Sequence, residues 1–169
     1  MRTKYLFGVV TFIFIWIACL CVTFAQAKNL HNESLRGLKG VEVIVEDIKP
    51  EAERDGLTRN HVKVAVELEI RKAGIKILTR EESLSMPGSP YLYVNVNLFK
   101  HKPGVYAFNI FIGCHQTVAL LRNSSIITHA PTWTRRTVGM IAMPNLRDLY
   151  AFIKDDINIF INDYLTVNP

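Results

Sequence analysis

The sequence predicts an α+β fold: a two-layer sandwich in which two helices cover one face of a mostly antiparallel sheet, in the order β-α-β-β-β-β-α. Three observations predict it. Around residues 41–46 and 91–99, apolar residues fall at every second position, the period of half-buried strands. From Leu146 to Tyr164 they fall at i, i+3, i+4 and i+7, the period of a helix with one apolar face. Between 91 and 142, strand-like runs are separated only by short turn signals, as in hairpins, and hairpins build antiparallel sheets.

The chain begins with Arg2 and Lys4, then an uncharged run from Tyr5 to Ala25 that closes on Ala25-Gln26-Ala27. A positive start, an apolar middle and small residues before a cut are the parts of an export signal peptide, here residues 1–27. About 20 apolar residues at ~1.5 Å each span roughly 30 Å, so an uncleaved membrane anchor is the alternative. Lipoprotein processing at Cys19 is a third. All three place the remainder outside the cytoplasm, periplasmic or extracellular, with membrane contact only through residues 1–27 if these are retained. Residues 28–37 are polar and read as a flexible lead-in, and 38–169 as a single domain.

Val41, Val43 and Val45 alternate with Glu42, Ile44 and Glu46 as the first strand, which Pro50 ends; Glu51 to Gly56 reads as a charged loop. Residues 58–73 fit a helix. Thr58 is its N-cap, Val62, Val66, Ile70 and Ala73 share one face, and Lys63, Glu67 and Arg71 form an i,i+4 ladder ending at Gly74. Ile75 to Leu78 reads as a short strand, and Glu81 to Pro90 as a loop rich in Ser, Pro and Gly. Tyr91 to Phe99 is a strand with Leu92, Val94, Val96 and Leu98 on one side. A turn over His101 to Gly104 returns the chain as a long strand to Leu121, with a bulge expected near Gly113. A second tight turn is expected at Asn123-Ser124, then a strand over 126–142 that Pro131 breaks or bends. The last helix opens after Pro144, with Asn145 as N-cap and Asp148 three residues on.

Composition excludes several function classes. The chain of 169 residues is 49% hydrophobic and 21% charged, which excludes disorder. Its three cysteines include only Cys114 beyond the leader, so no internal disulfide framework is expected. Removing Arg2 and Lys4 leaves 18 basic against 15 acidic residues. That bias is too small to expect nucleic acid as a partner. Histidines 31, 61, 101, 115 and 129 show no metal-ligand spacing, and neither a glycine-rich phosphate loop nor a Gly-x-Ser-x-Gly elbow occurs, so no cofactor or metal is expected. Glu81-Glu82 and Asp155-Asp156 read as solvated surface. Cys114 and His115 are adjacent, but neighbours in a strand point to opposite faces and cannot act as nucleophile and base; Cys114 reads as a buried free thiol.

The candidate surface is Tyr91, Tyr93, Asn95 and Asn97, which share one strand face. Asparagine is depleted in strands, so two beside two tyrosines suggest either a polar groove for a ligand or partner chain, or a plain solvent-facing sheet. Trp133 with Arg135 and Arg136 suggests either an exposed contact patch or a core tryptophan flanked by surface arginines.

The run Gly56-Leu57-Thr58, then Ile70 to Thr79 (IRKAGIKILT) and Pro90 to Val96 (PYLYVNV), resembles small exported bacterial proteins of unknown function, as does the closing stretch with Tyr164-Leu165 and Asn168-Pro169. That resemblance implies a bacterial envelope setting and transfers no functional residue. In element order the chain also resembles the N-terminal domain of the translocation protein of the Tol-Pal system, a likeness of fold alone. Together these readings lead to a non-enzymatic exported module binding another protein or an envelope component. The alternative is a small-ligand carrier using the Tyr/Asn face.

Overall fold

The computed structural model describes residues 31–169. The expectations for residues 1–27, and for 28–30, lie outside the described residues. The fold is α+β, with strands β1 (Glu42–Val45), β2 (Tyr91–Lys102), β3 (Val105–Leu120) and β4 (Asn123–Ala142). Its α-helices are α1 (Pro50–Arg54), α2 (Arg59–Lys72), α3 (Arg80–Ser85) and α4 (Leu149–Val167), the last preceded by a 3-10 helix, Met143–Asp148. The sheet order is β1-β2-β3-β4. β1 runs parallel to β2, and the other two pairs are antiparallel. The parallel pair follows from the connection, because α1, α2 and α3 carry the chain back before β2 begins.

Alternation along the strands divides the sheet into two faces. Val43 and Val45, Leu92 to Leu98, and Tyr106 to Cys114 contribute every second side chain to one core, which α2 and α4 close. The helices do so with the stripes their spacing predicts: Val62, Val66 and Ile70 from α2, and Leu149, Ile153, Ile157, Phe160, Ile161 and Tyr164 from α4. Thr58 Oγ1 accepts the His61 N–H at 3.3 Å, capping α2 as expected. Its C-terminus closes through Gly74 in the left-handed region, φ +77°, with Ile75 N–H bonding Ile70 O. Glu67 sits 2.7 Å from Arg71 and 3.8 Å from Lys63, completing the ladder.

Six local expectations are corrected. The lead-in is packed from residue 31 onward: Leu35 is fully buried in the core, and Asn168 Nδ2 donates to its carbonyl. Glu51 to Gly56 is largely helical as α1, with Pro50 in its first turn, where proline costs no hydrogen bond. Ile75 to Leu78 makes a single bridge, Val41↔Ile77, rather than a strand. Within the expected loop 81–90 lies α3, held by a capping box: Thr79 Oγ1 accepts the Glu82 N–H, and Glu82 Oε2 accepts the Thr79 N–H. The second hairpin turn is Leu121-Arg122, since Leu120 pairs with Asn123. Lastly, Asn145 is not an N-cap, because residues 143–148 form the 3-10 helix and Asp148 precedes α4 without a side-chain cap. Three residues per turn align Leu146 with Leu149, and both are buried.

The bulge occurs beside Gly113, but its extra residue is on the neighbouring strand. Cys114 pairs with Trp133 and His115 with Pro131, leaving Thr132 unmatched on β4. β4 continues through Pro131, with the bulge beside it.

Candidate functional site

The face turned away from α2 and α4 carries Tyr91, Tyr93, Asn95 and Asn97, as their alternation with the buried residues requires. Register then decides their neighbours. Tyr91 lies opposite His115, Tyr93 opposite Gly113, Asn95 opposite Phe111 and Asn97 opposite Asn109. Tyr91 stacks on His115 with ring centres 5.0 Å apart and planes 14° from parallel. Tyr93 meets His115 edge-on at 5.7 Å and Phe111 at 6.2 Å. Across β3, the Arg136 guanidinium lies over Phe111, 4.8 Å from its centre. The result is a continuous aromatic patch with an arginine at its rim.

Gly113 makes this patch possible. A Cβ there would stand 2.9 Å from Phe111 Cζ and 3.2 Å from His115 Nε2, so the two rings fold over a site only glycine leaves open. His115 Nε2 is consequently buried and has no hydrogen-bond partner among the described residues. Burial first, and the nearby His129 second, push the His115 pKa below its ordinary value. That shift favours the uncharged ring, which serves the patch as an aromatic surface.

Only part of the expected Tyr/Asn groove exists as one site. Tyr91 and Tyr93 line an open hollow of about 370 Å³ together with Ile44, Arg80, Leu84 and His129. Asn97 borders a separate hollow of about 260 Å³ beside Lys49 and Phe99. The asparagines are engaged with protein: Asn95 Nδ2 donates to Glu46 at 2.7 Å, and Asn97 Nδ2 to Asn95 Oδ1 at 2.5 Å.

Of the two readings for Trp133, the core tryptophan flanked by surface arginines is the one observed, and no exposed tryptophan patch forms. Trp133 is 1% exposed, packs edge-on against Phe160, and its Nε1–H donates to Asp163 at 2.9 Å. Arg135 points to the helix side, where its Nε donates to Asp156 Oδ1 at 3.0 Å, and Thr137 donates to the other carboxylate oxygen at 2.7 Å. Asp156, expected as solvated surface, is 3% exposed. These residues fasten α4 to β4. Arg136, one position along, is on the open face with no ion pair among the described residues.

Cys114 is a buried free thiol on the opposite face from His115, with its pKa pushed up to about 12 by desolvation. It is not a nucleophile at neutral pH. Among the described residues, no three His, Cys, Asp or Glu side chains converge to hold a metal, and no helix is long and apolar enough to cross a membrane.

Phe111, His115 and Arg136 complete the patch, and strand periodicity alone missed them as a group. One sequence signal points to this region: no Asp or Glu occurs from Ser83 to Arg147, the whole of β2 to β4. Whole-chain charge conceals it. No protein-family model matches this chain, and no curated protein matches it significantly.

Proposed function

We propose that the chain is an exported, non-enzymatic module that binds another protein or an envelope component on the sheet face opposite α2 and α4. The observation that carries this is the patch of Tyr91, Tyr93, Phe111, His115 and Arg136 on that face. Tyrosine and arginine are, with tryptophan, enriched among the side chains that contribute most to protein recognition: tyrosine buries much area at little rotamer cost, and arginine adds charge and directed hydrogen bonds. Arg136 adds a charge that no carboxylate of the described chain neutralises. Export rests on residues 1–27, and the non-enzymatic character on a protonated, buried Cys114 and a His115 whose Nε2 meets no hydrogen-bond partner among the described residues.

The test places a photo-crosslinking residue at Tyr93 in cells, with Leu68 on the exposed side of α2 as control. Discrete adducts from position 93 that disappear with Phe111→Ala are expected. Equal labelling from both positions, or none, would refute the reading. The hollow beside Tyr91 and Tyr93 favours a second reading, a small-ligand carrier. It predicts a small molecule retained in native mass spectra and lost in Tyr93→Trp, which narrows the hollow.

A further inference from the structure

β4 is the last strand of the sheet, so one side of its backbone faces away from β3. Which residues face outward follows from the ladder. Met143 N–H donates to Gly104 O at 2.8 Å, extending the Val105↔Ala142 register by one pair that shares a hydrogen bond. Antiparallel pairs alternate, so Arg135, Thr137, Gly139 and Ile141 turn their backbone toward β3, and Thr134, Arg136, Val138 and Met140 turn theirs outward. Thr134 agrees: its N–H is directed at His31 Nε2, 3.5 Å away. Ser34 Oγ likewise covers Thr132 O at 3.0 Å. The segment from His31 to Ser34 thus shields the edge up to Thr134, and the turn into the 3-10 helix at Met143 ends it. Between these limits, no described residue bonds the outward groups of Arg136, Val138 or Met140.

Exposed strand edges are usually protected by charge, proline or a bulge. Here Pro131 and the Thr132 bulge lie upstream, and Arg135 is bound to Asp156, so among the described residues Arg136 is the one unpaired charge on the free stretch. The flanks are apolar. Val138 and Met140 are 70% and 64% exposed on the open face. On the helix side, Phe152 is 42% exposed, 5.7 Å from Phe108, whose ring lies over Gly139.

We propose that this edge pairs with the same edge of a second copy of the chain, antiparallel, about a two-fold axis through Val138. The free stretch is centred on that residue. Val138 then faces Val138 of the second copy, and Arg136 faces Met140 in both directions. The two Arg136 side chains are about 13 Å apart along the strands, four residues at roughly 3.3 Å each. Because the outward backbone groups belong to residues whose side chains lie on the open face, pairing keeps both sets of helices on one side. The two aromatic patches then lie on one eight-stranded sheet. The proposal needs no foreign partner and stands independently of the binding reading.

The test uses the full chain in detergent with Cys19→Ala and Cys21→Ala; Cys114 is fully buried and does not compete. Sedimentation should show a monomer–dimer equilibrium, and Val138→Asp should raise its dissociation constant about tenfold or more by opposing two like charges. Under mild oxidation Val138→Cys should form a covalent dimer, since directly opposed Cα atoms about 5.5 Å apart suit a disulfide. Arg136→Cys alone should not crosslink, but mixed with Met140→Cys it should. Unchanged urea midpoints would show that the variants fold. A monomer at every attainable concentration, or equal crosslinking of Arg136→Cys and Val138→Cys alone, overturns the proposal. Neither result bears on photo-crosslinking from position 93.

Discussion

Ile157 sits in the middle of the α4 stripe and is fully buried, while Asn158, one residue on, is only half-buried and makes no side-chain hydrogen bond among the described residues. Truncating Ile157 to alanine removes three carbons from the core. At ~0.8 kcal/mol for each buried methylene the transfer loss alone is about 2.4 kcal/mol. A cavity of several tens of Å³ at ~24 cal/mol per Å³ adds about 1–2 kcal/mol where neighbours cannot collapse into it. Its surroundings resist collapse, because Ile153 and Phe160 are pinned on the same helix and the facing strands are bonded into the sheet. The total, about 3–4 kcal/mol, is a large share of the roughly 5–15 kcal/mol that holds a domain together. Asn158→Ala should change stability by less than about 0.5 kcal/mol. Urea unfolding followed by circular dichroism measures both variants. Ile157→Ala should lower the midpoint with an unchanged slope, and Asn158→Ala should leave the midpoint near wild type. Coincident midpoints would mean that α4 does not cover the sheet, and the account of the core would fail with it.

Three further outcomes follow from the same geometry. Asp156→Ala should cost about 1–3 kcal/mol, because Thr137 loses its acceptor while the half-exposed Arg135 regains water; Asp155→Ala, on the exposed side, should be near neutral in the same urea titration. Gly113→Ala should displace the Phe111 and His115 rings at a cost of about 1–3 kcal/mol, and the His115 ring-proton shifts induced by Tyr91 should collapse in NMR spectra; unchanged shifts would refute the cradle. Since the folded chain holds the His115 proton less tightly than the unfolded chain, stability from this residue is full above pH 6.5 and is lost as pH falls below it. His115→Phe should flatten that part of the profile between pH 7.5 and 5.5.

Elements with long, repetitive patterns were legible from sequence, and those set by a single residue were not. The α4 stripe repeats over five turns, and α2 carries both of its caps, so tertiary packing had only to agree with local preference. The helix α3 was written in Thr79-x-x-Glu82, a capping-box spacing, but the Ser, Pro and Gly that follow outweighed it in a reading by composition. Asp156 reads as surface beside Asp155 because nothing in the sequence reveals that Arg135 will lie across from it. The patch itself depends on one slip. Between Lys100 and Lys102 the β2–β3 register shifts by one residue. An unbulged hairpin around Pro103-Gly104 would set Tyr91 against Gln116, and every open-face neighbour would change. The bulge at His101 brings His115, Gly113 and Phe111 into line with the tyrosines.

Charge, like hydrophobicity, is divided between the two faces of the sheet. The acid-free stretch from Ser83 to Arg147 would burden the domain with unmatched positive charge if all of it faced one way. Strand alternation divides the load. Arg135 goes to the helix side, where α4 supplies Asp156, and seven residues further along the same helix Asp163 takes the Trp133 N–H and the Asn32 amide. Those two carboxylates, two turns apart, bind the last strand and the segment at Asn32 to α4. Arg136 goes to the open side, where β2 and β3 supply aromatic rings, amides and small side chains but no carboxylate. Glu42 and Glu46 lie at the far edge, already engaged by Arg80 and Asn95. A cation over an aromatic ring loses little water and keeps its full charge for a further contact. The fold therefore uses its acids to close the helix side and leaves one arginine of β4 available on the other, at the end of the aromatic patch and beside the free edge.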